Sequence, residues 1–185
     1  KQRRGVLLVL LVWTLGAWAQ NNRLWRVEAE SPQTTVTYGD DFIDMRAPRG
    51  LTLWYREPMT GDVCIEYEAM AVGDARVSDL NCFWKASDPK APHDIVRRSR
   101  WRHGNFVRHY SLQLYYMSLG GNGNTTTRFR RYTANEAALT DEVQRPPILQ
   151  EYTDAPHLLT PDRWYRIRIE CCGNRVRFWA DDELL

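Results

Sequence analysis

The run from Ser111 to Tyr132 constrains the fold most, because it predicts two strands joined by a tight reversal. The first half, Ser111–Leu119, is rich in β-forming residues and alternates between two faces. One face carries Leu112, Leu114 and Tyr116, and the other carries Gln113, Tyr115 and Met117. Gly120–Asn124 contains only Gly and Asn, which tolerate positive φ, so the chain is expected to turn back there.

The second strand of this hairpin, Thr125–Tyr132, has an unusual polar face. That face carries Thr126, Arg128, Arg130 and Tyr132. The planar guanidinium of Arg binds carboxylates and hydroxyl pairs, and Tyr presents both a ring and a hydroxyl. The interleaving therefore predicts a polar groove built on a sheet. Two simpler interpretations stay open, namely a solvated edge strand protected by its charges, or arginines that pair with Glu66, Glu68 and Asp79 across strands.

Short alternating strands separated by turns continue along the rest of the chain. They are predicted at Leu24–Glu30, Val36–Ile43, Leu51–Tyr55, Asp62–Val72, Arg76–Trp84, Arg163–Cys172 and Arg175–Ala180, with another beginning at Leu184. Two long irregular segments interrupt them. Lys85–His109 is expected to cover one face or end of a sheet, and Thr133–His157 to hold one or two helical turns. No helical pattern is long enough for an α/β fold, so the sequence predicts an all-β, antiparallel β-sandwich.

The N-terminus predicts a secretory signal peptide. Basic residues precede the apolar run Gly5–Trp18, and Ala17-Trp18-Ala19 fits the small-x-small cleavage rule. We therefore expect a leader at 1–19, one domain at 20–185, and a secreted or periplasmic protein. The apolar run is too short for a comfortable membrane span, so no span is expected after cleavage; a retained membrane anchor is the alternative interpretation of this run.

Charge and cysteine content limit the partners that the sequence predicts. A net charge of +2 gives no electrostatic reason to expect a nucleic-acid partner. The cysteines lack zinc-site spacing, and they are Cys64, Cys82, Cys171 and Cys172. Export would permit a Cys64–Cys82 disulfide if their strands are neighbours, with buried free thiols as the alternative.

No metal site or cofactor is expected, and the oligomeric state is not predicted. Two pairs of adjacent acidic residues, Asp40-Asp41 and Asp181-Asp182, could hold a structural Ca²⁺ ion. Neither pair brings a full set of oxygen ligands with it, so a solvated turn is the simpler interpretation of each.

Five stretches together resemble a secreted bacterial family, a domain of unknown function with a concanavalin A-like lectin/glucanase jelly-roll fold. They are Gly50–Tyr55, Gly61–Tyr67, Arg76–Trp84, Gly120–Tyr132 and Trp164–Ile167. Members of that family are often encoded near polysaccharide-degrading enzymes, so the resemblance implies this fold, export, and a polysaccharide or oligosaccharide partner. It supplies no catalytic residues. It also implies further strands after Leu185, so the C-terminal strands of the jelly roll are expected to be missing from this chain.

A polysaccharide lyase with a polar groove on its concave sheet is the first functional hypothesis. β-Elimination from a uronate needs a group that neutralises the sugar carboxylate, a base and an acid. The neutralising candidates are Arg128 and Arg130, assisted by Asn81 or Gln113. The candidate bases and acids are Tyr115, Tyr116, His103 and His109. Clustered arginines would lower the pKa of a tyrosine and so help it act as a base.

A glycoside hydrolase is the second hypothesis. It needs two carboxyl groups at roughly 5–5.5 Å for retention or ~6.5–9.5 Å for inversion. Glu66 and Glu68 share one face of a predicted strand and would lie about 7 Å apart, with Asp79 as another candidate acid.

A non-catalytic glycan-binding module is the third hypothesis, in which aromatic rings stack on sugar faces. Trp84, beside the long insertion, is the leading ligand candidate. Across the three hypotheses, the catalytic candidates are Tyr115, Arg128, Arg130 and Asp79. The substrate-binding candidates are Asn81, Trp84, Gln113, Tyr116, Asn122 and Asn124. A register error of one residue would move any of these side chains to the opposite face of its strand.

Overall fold

The structure, a computed structural model, describes residues 5–9, 22–73 and 77–185. Its strands are β1 Gly5–Val9, β2 Trp25–Ala29, β3 Thr35–Tyr38, β4 Phe42–Arg46, β5 Leu51–Tyr55, β6 Val63–Val72, β7 Leu80–Ser87, β8 Gln113–Gly120, β9 Thr126–Thr133, β10 Ile148–Tyr152, β11 Trp164–Cys172, β12 Arg175–Ala180 and β13 Glu183–Leu184. Its helices are α1 Ser99–Arg102 and α2 Gly121–Asn124, with 3-10 turns at Asn22–Leu24, Phe106–Ser111, Glu136–Leu139, Glu142–Gln144 and Ala155–His157.

The strands form two main antiparallel sheets and one small one. The larger sheet has the strand order β13-β12-β11-β6-β1-β4-β3, and the four-stranded sheet has the order β10-β9-β8-β7. Strands β2 and β5 pair separately. This arrangement confirms the predicted all-β, antiparallel sandwich.

The main hydrophobic core lies between the two larger sheets. The seven-stranded sheet contributes side chains such as Tyr67, Ile167 and Phe178, and the four-stranded sheet contributes Trp84 and Met117. Alternate residues of β6 and β11 point into this core, which is why both strands show the predicted period of two. Each fully buried aliphatic side chain stabilises the fold by about 1.5–3 kcal/mol.

The predicted strand Val36–Ile43 is wrong, because the chain folds into the β3–β4 hairpin there. Gly39, Asp40 and Asp41 reverse the chain, and the Gly39 N–H donates to the Phe42 carbonyl at 2.9 Å. Strand β10 was not predicted within the second irregular segment. Its side chains are mostly exposed, so it lacks the buried face that makes a strand visible in a sequence.

Part of the predicted leader lies in the seven-stranded sheet. The backbone of β1 pairs with β4 on one side and with β6 on the other. The Ala17-Trp18-Ala19 cleavage motif lies outside the described residues, so the leader stays a prediction. Within the described ranges, no helix is both long enough and apolar enough to cross a bilayer.

The reversal between β8 and β9 is confirmed at α2. Gly120, Asn122, Gly123 and Asn124 all have positive φ values, which Gly and Asn adopt at low cost. Gly121 is packed so closely on Ser118 that a Cβ atom would overlap the serine Oγ atom. A side chain at position 121 would therefore force Ser118 to move where this turn closes one end of the four-stranded sheet.

The segment between β7 and β8, residues 88–112, covers part of the outer face of the four-stranded sheet, as predicted. A second hydrophobic cluster forms under it, containing Trp54, Tyr110, Leu112, Leu114, Tyr116, Tyr132 and Ala138. The four-stranded sheet is consequently buried on its inner face by the main core and on part of its outer face by this insertion.

Candidate functional site

The outer face of the four-stranded sheet carries two rows of side chains beyond the insertion. Strand pairing places Asn81 opposite Ser118, and Ser118 opposite Arg128. In the next row it places Phe83 opposite Tyr116, and Tyr116 opposite Arg130. Directly paired residues on one face have Cβ atoms about 5 Å apart, so each row is contiguous. We call the part of the sheet face formed by Asp79, Asn81, Phe83, Phe106, Tyr116, Ser118, Arg128 and Arg130 the sheet-face groove; it belongs to a larger open depression that extends beyond these residues.

The floor of the groove is fixed by a hydrogen bond between neighbouring strands. The Tyr116 hydroxyl donates to Asn81 Oδ1 at 2.9 Å. The Tyr116 ring is buried, and this burial raises the pKa of its hydroxyl well above the ordinary value. Tyr116 therefore stays protonated at neutral pH and holds the Asn81 carboxamide, whose NH₂ group can donate to a ligand.

The two groove arginines have different partners. Arg128 pairs with Glu151 of β10, with 3.3 Å between Arg128 Nε and Glu151 Oε2. Arg128 Nη2 also donates to Glu151 Oε1 at 3.3 Å. Arg130 Nη1 instead donates to the Pro146 carbonyl at 2.5 Å, and the described residues offer it no carboxylate partner. The cross-strand pairing predicted with Glu66, Glu68 or Asp79 is thus replaced by one pair with Glu151.

An aromatic wall closes the insertion side of the groove. The Phe83 ring stacks on Trp54 with ring centres 5.7 Å apart, and Phe106 lies 5.5 Å from Tyr116. Phe106 is 38% exposed, which leaves part of its ring available to a ligand. Neither Phe83 nor Phe106 was among the sequence candidates. The insertion carries scattered apolar residues such as Val107, and this pattern could have indicated that it packs on a sheet and brings aromatic side chains to it.

Buried charges hold this insertion on the small β2–β5 sheet. Arg102 of α1 is fully buried and donates to Glu28 of β2, with Nη2 to Oε1 at 2.7 Å and Nε to Oε1 at 3.1 Å. Arg102 Nη1 donates to Asp88 Oδ2 at 3.2 Å, and Asp88 also accepts from Arg98. Buried charges of this kind are tolerated only when they are paired and hydrogen-bonded.

His109 belongs to this network and not to the groove. Its Nδ1–H donates to the Phe106 carbonyl at 3.1 Å, and Nε2 lies 3.3 Å from Thr52 Oγ1. Burial lowers the pKa of His109 to about 4, so the ring is neutral at physiological pH. Its role as a lyase base, suggested by the sequence, has no support in this placement, because the ring is fully buried.

Asp79 lies at the opposite end of the groove from the aromatic wall. Its backbone has a positive φ of 64°, and Ser78 Oγ donates to Asp79 Oδ2 at 3.0 Å. Asn122 also lines this end, with its side chain donating to Thr125 Oγ1 at 3.1 Å. Asn124 does not, because its carboxamide makes two 2.8 Å hydrogen bonds with the backbone of Leu159. Asn124 therefore anchors a loop.

Three sequence candidates are on the wrong face for the groove. Trp84 is buried in the main core, where it stacks on Phe129 with ring centres 5.8 Å apart. Tyr115 alternates with Tyr116, so it faces the same core and stacks on Trp84. Gln113 shares the parity of Tyr115 and contacts Ser87 at the end of β8. The predicted grouping of Trp84 and Tyr115 with Arg128 and Arg130 is therefore wrong.

The carboxylate pair of the hydrolase hypothesis lies on the other sheet. Glu66 and Glu68 alternate with core residues of β6 and project from the outer face of the seven-stranded sheet. Glu66 lies 3.5 Å from Arg168 Nε there. Of the three carboxylates in that hypothesis, Asp79 alone lines the sheet-face groove. The other loop histidine, His103, forms the left-handed C-cap of α1.

The cysteines are all free thiols, so the suggested Cys64–Cys82 disulfide is absent from the structure. Cys64 is exposed, whereas Cys82 contacts the main core between the sheets. The acidic pair Asp181-Asp182 is engaged by Arg163 and Arg166. Across the described parts of the chain, no group of three His, Cys, Asp or Glu side chains is placed to hold a metal ion.

Comparison with known proteins adds a family and one structural likeness. A family model described as a domain of unknown function (DUF6250) matches residues 45–185, which is more than half of the chain, so the chain belongs to this family. No curated protein matches its sequence significantly. A carbohydrate-binding module, CBM66 from Bacillus subtilis, is similar in structure over 88% of this chain and 76% of its own. At 13% identity and a TM-score of 0.32, that likeness is too low to transfer a ligand or a site.

Proposed function

We propose that this DUF6250 domain binds a polysaccharide in the sheet-face groove and does not cleave it. The proposal rests on one observation. An exposed aromatic ring lies on the same face of the four-stranded sheet as several polar groups whose positions are fixed by the fold. Phe106 provides the ring, and Asn81 and Arg130 provide hydrogen-bond donors beside it.

Sugars suit such a surface because their faces are apolar and their rims carry hydroxyl groups. A partly exposed ring can cover a sugar face, and planar donors can bond adjacent hydroxyls. Ligand sites in proteins combine apolar walls with a few placed polar groups in the same way. The Tyr116–Asn81 hydrogen bond supports this role, because it orients the carboxamide before a ligand arrives.

Catalysis receives less support from the groove than binding does. Burial keeps Tyr116 protonated, and its proton is already donated to Asn81, so Tyr116 is poorly suited to act as a base. Tyr115 faces the core, His109 is buried, and Glu66 and Glu68 project from the other sheet. Neither Glu66 nor Glu68 lines the groove with Asp79. Glycoside hydrolysis by the usual routes needs two carboxyl groups at the site.

Export is part of this proposal, since a polysaccharide partner is met outside the cell. The basic start followed by an apolar run at 1–19 supports it. Mass spectrometry of protein secreted by a bacterial host would test it, with a mature N-terminus at Gln20 as the expected result. A protein that retains residues 1–19 would contradict the leader.

A glycan panel tests the binding proposal. Retention in affinity gels and isothermal titration would be measured for neutral and acidic polysaccharides, with parallel assays for unsaturated uronate and for new reducing ends. We expect binding without product. Because a buried polar or stacking contact is lost, Asn81→Ala and Phe106→Ala should each weaken binding by about tenfold.

Two matched controls separate the groove from the rest of the surface. Trp164 is an exposed aromatic residue at the start of β11, in the other sheet. Gln113 is an exposed amide on β8 that lies on the opposite face of the strand from Tyr116. Trp164→Ala and Gln113→Ala should leave affinity unchanged. Equal loss in controls and groove variants would reject the groove, and product formation by the wild type would reject the non-catalytic proposal.

A further inference from the structure

The two groove arginines differ in how their charges are compensated, although they are two residues apart on one strand. Arg128 faces Glu151, which neutralises it within the protein. A guanidinium has five N–H donors. Arg130 uses one nitrogen on the Pro146 carbonyl, and no ion pair links it to another residue in the described part of the chain. The groove therefore offers one neutralised arginine and one that retains its charge.

The surroundings of Arg130 screen its charge less than water screens the charge of a fully exposed arginine. Its charge acts on Tyr110, Tyr116 and Tyr132, where it opposes the rise in pKa that burial causes. The guanidinium is partly buried and lies near three buried rings, so its charge is screened less than that of a fully exposed arginine. Asp79, at the other end of the groove, acts on Tyr116 in the opposite sense. A further cation, Arg145, lines the same depression and also acts on Tyr110. Its Glu142 partner is highly exposed and compensates it weakly.

We infer that Arg130 binds the carboxylate of a uronic acid residue, and that the ligand of the groove is an acidic polysaccharide. This inference rests on the proposed function of the same groove. A carboxylate is planar and offers two oxygens to the remaining N–H groups of the fork, which is the geometry that arginine pairs with best. Asn81 lies on β7, two strands from Arg130 and in the adjacent row, so it is placed to bond hydroxyl groups farther along the same polysaccharide.

Carboxyl reduction provides a test that changes only the charge of the ligand. Oligosaccharides of polygalacturonate, alginate and glucuronan would be titrated beside their carboxyl-reduced counterparts, a sulfated neutral glucan and a set of neutral polysaccharides. We expect at least one acidic polymer to bind about 10- to 100-fold more tightly than its reduced form, as for one charged hydrogen-bonded pair. Its affinity should fall with added salt, while that of the reduced form should not.

Three variants assign the preference to Arg130. Arg130→Gln should remove the preference for the acidic polymer, and Arg130→Lys should keep only part of it, because lysine has the charge without the fork. Arg131→Gln is the matched control, because Arg131 is an exposed arginine on the opposite face of the same strand, beside Tyr115; it should change the preference by less than about threefold. Circular dichroism would verify that each variant is folded.

Each outcome bears on one of the two proposals. Equal binding of acidic and reduced polymers, or binding of neutral polysaccharides alone, would overturn the acidic-ligand inference and leave the groove as a glycan site. Equal preference for the sulfated glucan would overturn the assignment to a carboxylate. An acid preference that survives in Arg130→Gln would overturn the role of Arg130. Absence of binding to every polysaccharide would overturn the proposed function and this inference with it.

Discussion

Replacing Arg102 by methionine tests whether buried charge holds the insertion on the sandwich. Methionine keeps much of the side-chain length but removes the charge and all donors. Glu28 accepts three hydrogen bonds from Arg102, so the substitution would leave its buried carboxylate uncompensated. Asp88 would keep Arg98 as its remaining cationic partner. Breaking a buried ion pair on one side costs about 3–5 kcal/mol, because an uncompensated charge stays behind.

That loss is large compared with the total stability of a domain, which is about 5–15 kcal/mol. Urea denaturation followed by tryptophan fluorescence would measure the free energy of unfolding of the wild type and of Arg102→Met. Arg168→Met is the matched control, because Arg168 is half-exposed and pairs with Glu170 and Glu66 on the outer face of the seven-stranded sheet. An exposed pair contributes about 0–1 kcal/mol, so the control should change stability little.

A double variant separates the effect of an uncompensated buried charge from the effect of lost packing. Glu28→Gln combined with Arg102→Met removes both charges of the pair, so it should recover part of the stability lost in Arg102→Met alone. A loss in Arg102→Met no larger than in Arg168→Met, or a double variant less stable than the sum of the single changes, would refute the reasoning.

Two further outcomes are expected. The pKa of His109 is lowered to about 4 from its ordinary value near 6.5. Between about pH 4 and pH 6.5, His109 therefore binds a proton in the unfolded chain but not in the folded chain. The free energy of unfolding should therefore fall by about 3 kcal/mol as pH decreases from 6.5 to 4, at 1.36 kcal/mol per pKa unit; denaturation at several pH values would measure this, and a His109→Gln variant with the same slope would contradict it. Asn124→Ala should destabilise the fold by about 1–3 kcal/mol without changing glycan affinity, because it removes both bonds to Leu159; a selective loss of affinity in a variant of unchanged stability would restore Asn124 to the binding site.

The central hairpin was predictable because its signals are local. Alternation in β8 and β9 and the Gly–Asn run between them specified which residues share a face, and Arg128 and Arg130 do share one with Tyr116. The pattern within each strand indicated which of its own side chains share a face, but it did not indicate which face of β8 lies beside the arginines of β9.

The assignment of Trp84 and Tyr115 failed for a physical reason. The four-stranded sheet is covered on both faces, by the main core on one side and by the insertion on part of the other. Alternation identifies a core face only when the opposite face is in water, and here both faces carry large apolar residues. The choice depended on which sheet packs against β7, and that is a contact between residues distant in sequence.

The aromatic wall and the buried network could not be derived from local patterns either. Phe106 begins a short 3-10 turn within the insertion, where a ring has no strand face to indicate its direction. Glu28 and Arg102 are 74 residues apart, and a charged residue on a strand is ordinarily expected in solvent. Sequence patterns report periodicity, whereas these features depend on tertiary contacts.

The connectivity of the two sheets has a consequence for the order in which the chain folds. Each strand of the four-stranded sheet pairs with the next one along the chain, so this sheet can form early from local contacts. The seven-stranded sheet requires β6 to meet β11, which pairs Tyr67 with Ile167 about 100 residues later. Until β11 arrives, Trp84 and Met117 would face solvent on an otherwise finished sheet. From this connectivity we expect the surface that bears the groove to form before the core is closed, so that the rate at which β11 pairs sets how long these apolar side chains stay exposed.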